Sequence, residues 1–154
     1  MPIVESDEQL RQVLTDYRRI AIIGLSADPA RASHQVAKYL IRQGYEVSGV
    51  NPPLKGTSIL GCRVYGALSE LPQAPEIVDV FRRSEFVAGV AEEAIAAGAR
   101  VLWTQLGVRD DSAARRASEA GLYVVQNRCT KIEHRRLGIE ALRGENEPQT
   151  DTNG

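Results

Sequence analysis

Residues 19–33 read RIAIIGLSADPARAS, an apolar run that breaks at Gly24 into a polar loop. The part IAIIGL, 20–25, is rich in β-branched residues and shows no polar alternation. That pattern predicts a strand covered on both faces. Beyond the loop, Val36, Ala37, Leu40 and Ile41 form a stripe at helical spacing that ends at Gly44, a residue suited to closing a helix. A buried strand, a loop and an amphipathic helix, in that order, open a parallel β-α-β unit.

The same rhythm continues on either side. Upstream, SDEQLRQVLTDYRR predicts an amphipathic helix, with Ser6 and Gln9 spaced as a capping box and Leu10, Val13, Leu14 and Tyr17 on one face. Downstream, YEVSGV (45–50), IVDVF (77–81), VLWTQL (101–106) and LYVVQN (122–127) read as strands. Helices are expected over 84–98 and 110–121, the latter with Asp111 or Ser112 near its cap. The stretch 56–76 predicts a short strand or turn followed by a brief helix. The fold class is therefore α/β, a doubly wound parallel sheet with helices on both faces. Ligands of such sheets sit outside the carboxyl ends of the strands, which selects the loops 24–33, 51–57, 81–84, 106–110 and 127–131. Three layers are expected along the chain: an N-terminal helix over 1–19, the main domain over 20–140 and a disordered polar tail over 141–154.

Composition excludes several classes of function. Nineteen basic and twenty acidic residues leave a net charge of −1, which provides no cationic footprint for nucleic acid. No apolar run approaches the roughly 20 residues that span a bilayer. The acidic start MPIVESDEQL has no secretory pattern, so a cytoplasmic protein is expected. Cys62 and Cys129 form neither a disulfide framework nor a metal motif.

The first loop lacks the glycines of a dinucleotide fingerprint, and the second strand ends in Asn51-Pro52 where a ribose-binding carboxylate would stand. Both features disfavour an NAD(P)-dependent oxidoreductase, which stays as the alternative from the enzyme class. No P-loop motif occurs. The loop nevertheless holds what a phosphate needs. Gly24 permits close backbone approach, Ser26 and Ser33 carry hydroxyls, and Arg31 carries a planar charged fork beside a helix start. The same residues also fit a plain surface loop in which Ser33 is a helix cap and Arg31 is solvated. Pro52 and Pro53 offer a stiff apolar wall for a base, and Lys55 a further cation, or simply a solvated turn residue. Arg82 and Arg83 follow the third strand. Three strand ends at one predicted edge thus carry cations.

In this order, GLSADPARASHQVAKYL, VNPPLKGTSILG, VDVFRRSE, TQLGV and NRCTKIEHRRLG resemble the small bacterial and archaeal CoA-binding proteins. These are similar to free-standing versions of the CoA-binding Rossmann domain of the succinyl-CoA synthetase α subunit. The resemblance runs from about Ile20 to Gly138. It implies a Rossmann-like sheet of about five strands that holds coenzyme A, free or as an acyl-CoA. By that similarity Gly24, Leu25, Ser26, Arg31 and Ser33 meet the phosphates. Asn51, Pro52 and Lys55 line the adenosine, and Phe81 and Arg82 flank the third strand end. The chain departs from the family pattern at Pro53 and Gly56-Thr57, where lysines are common, and at Asn127, where the family often has Asp.

The synthetase needs a phosphorylatable histidine from a second domain and a β subunit, so this chain is expected to bind without catalysis. A regulatory or interaction subunit of an acyl-CoA ligase is the other alternative, and a homo-oligomer is possible. His34 reads as a surface residue and Cys129 as a small buried side chain. His134 belongs to a C-terminal structural motif and Asp79 is a hydrogen-bonded structural carboxylate. Trp103 and Phe86 read as core.

Overall fold

The structure is a computed structural model that describes residues 3–142. Helix α1 (Asp7–Asp16) begins at the expected capping box: the Ser6 side chain accepts from the Gln9 N–H, and the Gln9 side chain reaches back. Strand β1 (Arg19–Ile23) leads through the loop to α2 (Ala32–Arg42) and β2 (Glu46–Val50). A short 3-10 turn at Pro52–Leu54 precedes β3 (Ser58–Ile59) and β4 (Cys62–Tyr65). Then follow β5 (Ile77–Val80), α3 (Val87–Ala96), β6 (Val101–Thr104), α4 (Asp111–Glu119), β7 (Tyr123–Val125) and α5 (Thr130–Arg136).

The sheet has seven strands in the order β3-β4-β2-β1-β5-β6-β7. All neighbours run parallel except β3 and β4, which form an antiparallel hairpin. The five long strands expected from the sequence are all present, and the segment 56–76 adds the hairpin and a 3-10 turn at Leu68–Glu70. Its turn residues Leu60 and Gly61 both have positive φ, 55° and 79°, the geometry that matches strand twist in a two-residue hairpin. Leucine is not the Asn or Asp that usually announces such a turn, so the hairpin carries little local signal.

Side chains alternate across the sheet. Ile20, Ile22, Ile77, Val101 and Trp103 face one core layer, closed by Leu10, Val13 and Leu14 of α1 and by Val36, Ala37 and Leu40 of α2. Ala21, Ile23, Val78, Val80 and Leu102 face the opposite layer, closed by α3 and α4. Strand order reverses at β1, which places the ends of β1 and β5 side by side at the expected ligand crevice.

Three local expectations are corrected. Ser33 does not cap α2; it lies inside the first turn, and the capping position belongs to Arg31 without a side-chain cap. Asp110, rather than Asp111 or Ser112, caps α4 by accepting from the Ala113 N–H at 3.0 Å. Phe86 is not core: it lies exposed under the guanidinium of Arg82, 4.7 Å from the ring centroid. Trp103 is fully buried, and its Nε1 donates to the Arg128 carbonyl at 2.7 Å. Of the tail expected from 141, Leu142 donates its N–H to the Gln43 carbonyl at 2.6 Å and packs on the core. The remainder, 143–154, lies outside the described residues. Among the described residues no helix is long and apolar enough to cross a membrane.

Candidate functional site

The crevice is built outward from Gly24. Its N–H donates to the Val50 carbonyl at 2.8 Å, continuing the ladder of β1 on β2, while φ of 90° turns the chain off the sheet. A Cβ at this position would stand 3.1 Å from the Phe81 carbonyl oxygen, so only glycine lets the ends of β1 and β5 approach this closely. Leu25 comes next and is fully buried. Its side chain fills the space above Gly49 of β2, where a Cβ would lie 2.7 Å from Leu25 Cδ2. Its carbonyl accepts from Asn51 Nδ2 at 2.9 Å.

The rest of the loop is stitched by its own side chains. Ser26 N–H donates to Ser33 Oγ at 3.0 Å, Asp28 N–H to Ser26 Oγ at 3.0 Å, and Ala30 N–H to Asp28 Oδ1 at 2.9 Å. His34 Nδ1 lies 3.0 Å from the Ser26 carbonyl, so this half-buried histidine braces the loop instead of lying free on the surface. Because both serine oxygens act here as acceptors, each hydroxyl hydrogen stays available to donate. Arg31 starts α2 with no side-chain cap on the helix. The first N–H groups of α2 have no partner among the described residues, and Ala32 and Ser33 line the crevice at this helix start, where the helix dipole favours an anion. The exposed Arg31 side chain has no ion-pair partner among the described residues.

Gly24, Ser26, Arg31, Ser33, Asn51 and Phe81 line one cavity of about 500 Å³ together with Ala30 and Ala32. Six of the ten residues selected from the sequence thus come together. Four do not line it. Leu25 serves as packing, Pro52 stands exposed on the 3-10 turn, and Arg82 lines a neighbouring cleft. Lys55 pairs with Glu70 at 3.1 Å, and Glu70 also accepts the Gly66 N–H at 3.0 Å. That N–H and the Lys55 ammonium hold the Glu70 carboxyl below its usual range. Arg83 lies 3.9 Å from Glu85.

The neighbouring cleft, about 520 Å³, is lined by Gln105, Leu106, Val108 and Cys129 beyond Phe81 and Arg82. Sequence reasoning selected these loops and, of these four residues, weighed only Cys129, as a small buried side chain. The signal available was TQLGV following a strand. Cys129, expected buried, is half-buried on this wall. The loop is held by Gly107 N–H on Asn127 Oδ1 at 2.7 Å and by Thr104 Oγ1 on the Val108 carbonyl at 2.7 Å. Behind it Asp79 is fully buried, accepting from Gln105 Nε2 and from Thr130 Oγ1. Burial pushes its carboxyl up to about 7, against these two hydrogen bonds. His134 is buried with Tyr39 Oη 2.7 Å from its Nδ1, and burial lowers its pKa.

A family model described as a CoA binding domain matches residues 18–135. The YneT protein of Bacillus subtilis (strain 168) is 38% identical over 129 residues, spanning 84% of this chain and 94% of YneT. Among solved structures, Prb, a PH1109 protein redesigned for binding, matches with a TM-score of 0.85 and 38% identity, covering 94% of this chain and 100% of its own. A dinucleotide-forming acetyl-coenzyme A synthetase 1 of Ca. Korarchaeum cryptofilum shares the fold at a TM-score of 0.62 and 22% identity. That match takes in 75% of this chain and 26% of the synthetase chain. The switch-point crevice, the strand-end motifs and these matches agree, and the chain belongs to the CoA binding domain family.

Proposed function

We propose that this protein binds coenzyme A, free or as an acyl-CoA, at the carboxyl ends of β1, β2 and β5, and carries out no chemistry of its own. The observation that carries the reading is the uncapped start of α2 with unpaired Arg31 beside it, in a cavity of about 500 Å³. The residues present fit the diphosphate. Helix N–H groups, two serine hydroxyls and a guanidinium converge there, and no carboxylate lines the cavity. Asn51 Nδ2 is committed to Leu25, which leaves its Oδ1 to accept from an adenine or ribose donor. Pro52 supplies a flat apolar edge. Lys55 joins only by leaving Glu70, so it takes a secondary part.

Binding without catalysis is supported by the surroundings of Cys129. Glu133 is engaged by Arg128 at 3.4 Å and Arg136 at 2.7 Å, and the ring of His134 is buried against Tyr39. Neither side chain hydrogen-bonds to the Cys129 thiol among the described residues.

Calorimetric titration with CoA, 3′-dephospho-CoA, NAD and ATP tests the reading. CoA is expected to bind, and Arg31→Ala to weaken it by about tenfold or more, the worth of a charge-assisted hydrogen bond. Tight NAD binding without a response to CoA would overturn the reading. Unchanged CoA affinity in Arg31→Ala would overturn the placement of the phosphates.

A further inference from the structure

Gln105 stands between the buried sheet and the second cleft. It is only 6% exposed, lines that cleft, and meets Asp79 and Thr130 inside the protein with one end of its amide. The other end has no partner but is not sealed off, since His134 Nε2 is the one buried polar side-chain atom without a partner among the described residues. The inward contact is short. Gln105 Nε2 stands 2.5 Å from Asp79 Oδ1, whereas Thr130 Oγ1 donates to Asp79 Oδ2 at an ordinary 2.9 Å. An N–H donor keeps about 2.7–3.2 Å from an oxygen, and a separation of about 2.5 Å belongs to an O–H on an oxygen. The two ends of an amide have the same shape, so the end that faces Asp79 is decided by which partner carries the hydrogen.

No cation compensates a charge on Asp79. Ile22 of β1 and Trp103 of β6 flank it across the sheet. On α5, Lys131 lies over Tyr39, Glu133 is held by Arg128 and Arg136, and His134 is turned to Tyr39. His34 of α2 is held on the Ser26 carbonyl. Gln105 and Thr130 are the polar partners that remain, and burial pushes the carboxyl up to about 7. Each protonation state asks the opposite of the amide. An ionised carboxyl only accepts, so it needs the NH2 group inward. A protonated one donates, so it needs the amide oxygen inward.

We infer that Asp79 and Gln105 form a proton-controlled switch that sets the hydrogen-bonding polarity of the cleft wall. With the carboxyl protonated, its O–H donates to Gln105 Oε1 and the amide NH2 faces the cleft as a donor. On ionisation the proton leaves to water, the amide turns about its terminal bond, and its oxygen faces the cleft as an acceptor. Thr130 Oγ1 donates to the second carboxyl oxygen in both states, so the start of α5 stays in place. The switch belongs to the chain itself and does not depend on which ligand the crevice takes.

The test is an NMR titration of the full chain, labelled with nitrogen and carbon isotopes, between about pH 5 and about pH 9. The Asp79 carboxyl carbon and the Gln105 side-chain amide signals should move together, with one midpoint at about 7. Over the same interval the proton–proton contacts of the amide NH2 should pass from cleft-lining side chains at low pH to Thr130 at high pH. Asp79→Asn, whose own NH2 stands in for the carboxyl O–H, should hold Gln105 at its low-pH signals throughout. A Gln105 amide that keeps its signals and contacts while Asp79 titrates would overturn the switch. An Asp79 carboxyl that does not titrate in this interval would also overturn it, as would a variant whose Gln105 signals still follow pH. The first two outcomes are read on the unaltered chain, so they stand whether or not the variant folds.

Discussion

At the residue scale, Leu25 and Gly49 decide the shape of the first loop. Leu25 lies next to two cavity-lining residues, yet its side chain is a wedge driven beneath the loop, and Gly49 leaves the space for it. Gly49→Ala would put a Cβ 2.7 Å from Leu25 Cδ2 and 3.2 Å from Leu25 Cβ, forcing the leucine and the loop above it to shift. The expected outcome is a loss of about 1–3 kcal/mol in chemical denaturation, the usual cost of overpacking, together with weakened CoA affinity. A variant that melts as the parent does and binds CoA equally would show the loop to be indifferent to this contact. The site residues that the sequence identified share a reason: Gly24, Ser26, Arg31 and Ser33 belong to one continuous loop after one strand. Lys55 was misleading because its partner, Glu70, comes from a turn 15 residues later. Gln105 was silent because its amide meets Asp79 and Thr130, from two other elements.

At the scale of elements, α1 shows how local and tertiary signals combine. Its capping box and apolar stripe are readable in the sequence, and Leu10, Val13 and Leu14 are all buried. Contacts far along the chain then hold it in place. Arg136 of α5 forks onto Asp7 with distances of 3.0 and 2.7 Å, and the buried Tyr45 hydroxyl donates to the Leu14 carbonyl. Leu14→Ala removes a fully buried side chain from the layer shared with β1 and α2. A loss of about 2–5 kcal/mol is expected in urea or guanidinium denaturation. Should the loss fall within the range of a surface substitution, α1 would be an appendage rather than part of the core. The β3–β4 hairpin stands at the other extreme. It has two short strands and a Leu-Gly turn, so little in its own sequence announces it. Its pairing with β2 through Gly49–Val64 and Val50–Tyr65 is what settles it.

At the scale of the whole molecule, Asp79 links the sheet to the ligand edge. It sits in β5, an interior strand of the sheet, and binds the end of β6 and the start of α5 through Gln105 and Thr130. Its folded pKa of about 7 lies above the ordinary carboxylate value of 3.8. Between those two values the folded chain keeps a proton that the unfolded chain has released, so this contribution falls as pH rises. It is full below the ordinary carboxylate range and lost as pH climbs through about 7. Denaturation at about pH 5 and about pH 8 should therefore show lower stability at the higher value, and Asp79→Asn should flatten the difference. A wild-type stability that does not fall over this interval, or the same slope in the variant, would show that the buried carboxyl is not responsible.

The sequence by itself determined the class of fold and the edge where a ligand sits. Both follow from local periodicity: apolar runs alternate with amphipathic stripes over short loops, and chirality brings the strand-end loops to one side. Tertiary structure decided which charges are free, which side chain is wedge and which is wall, and where a second cleft opens beside the phosphate loop. Those properties depend on burial and on partners brought together from distant positions. Arg31 is left unpaired while Lys55 is neutralised, although nothing within GLSADPARAS or VNPPLKG distinguishes the two cations.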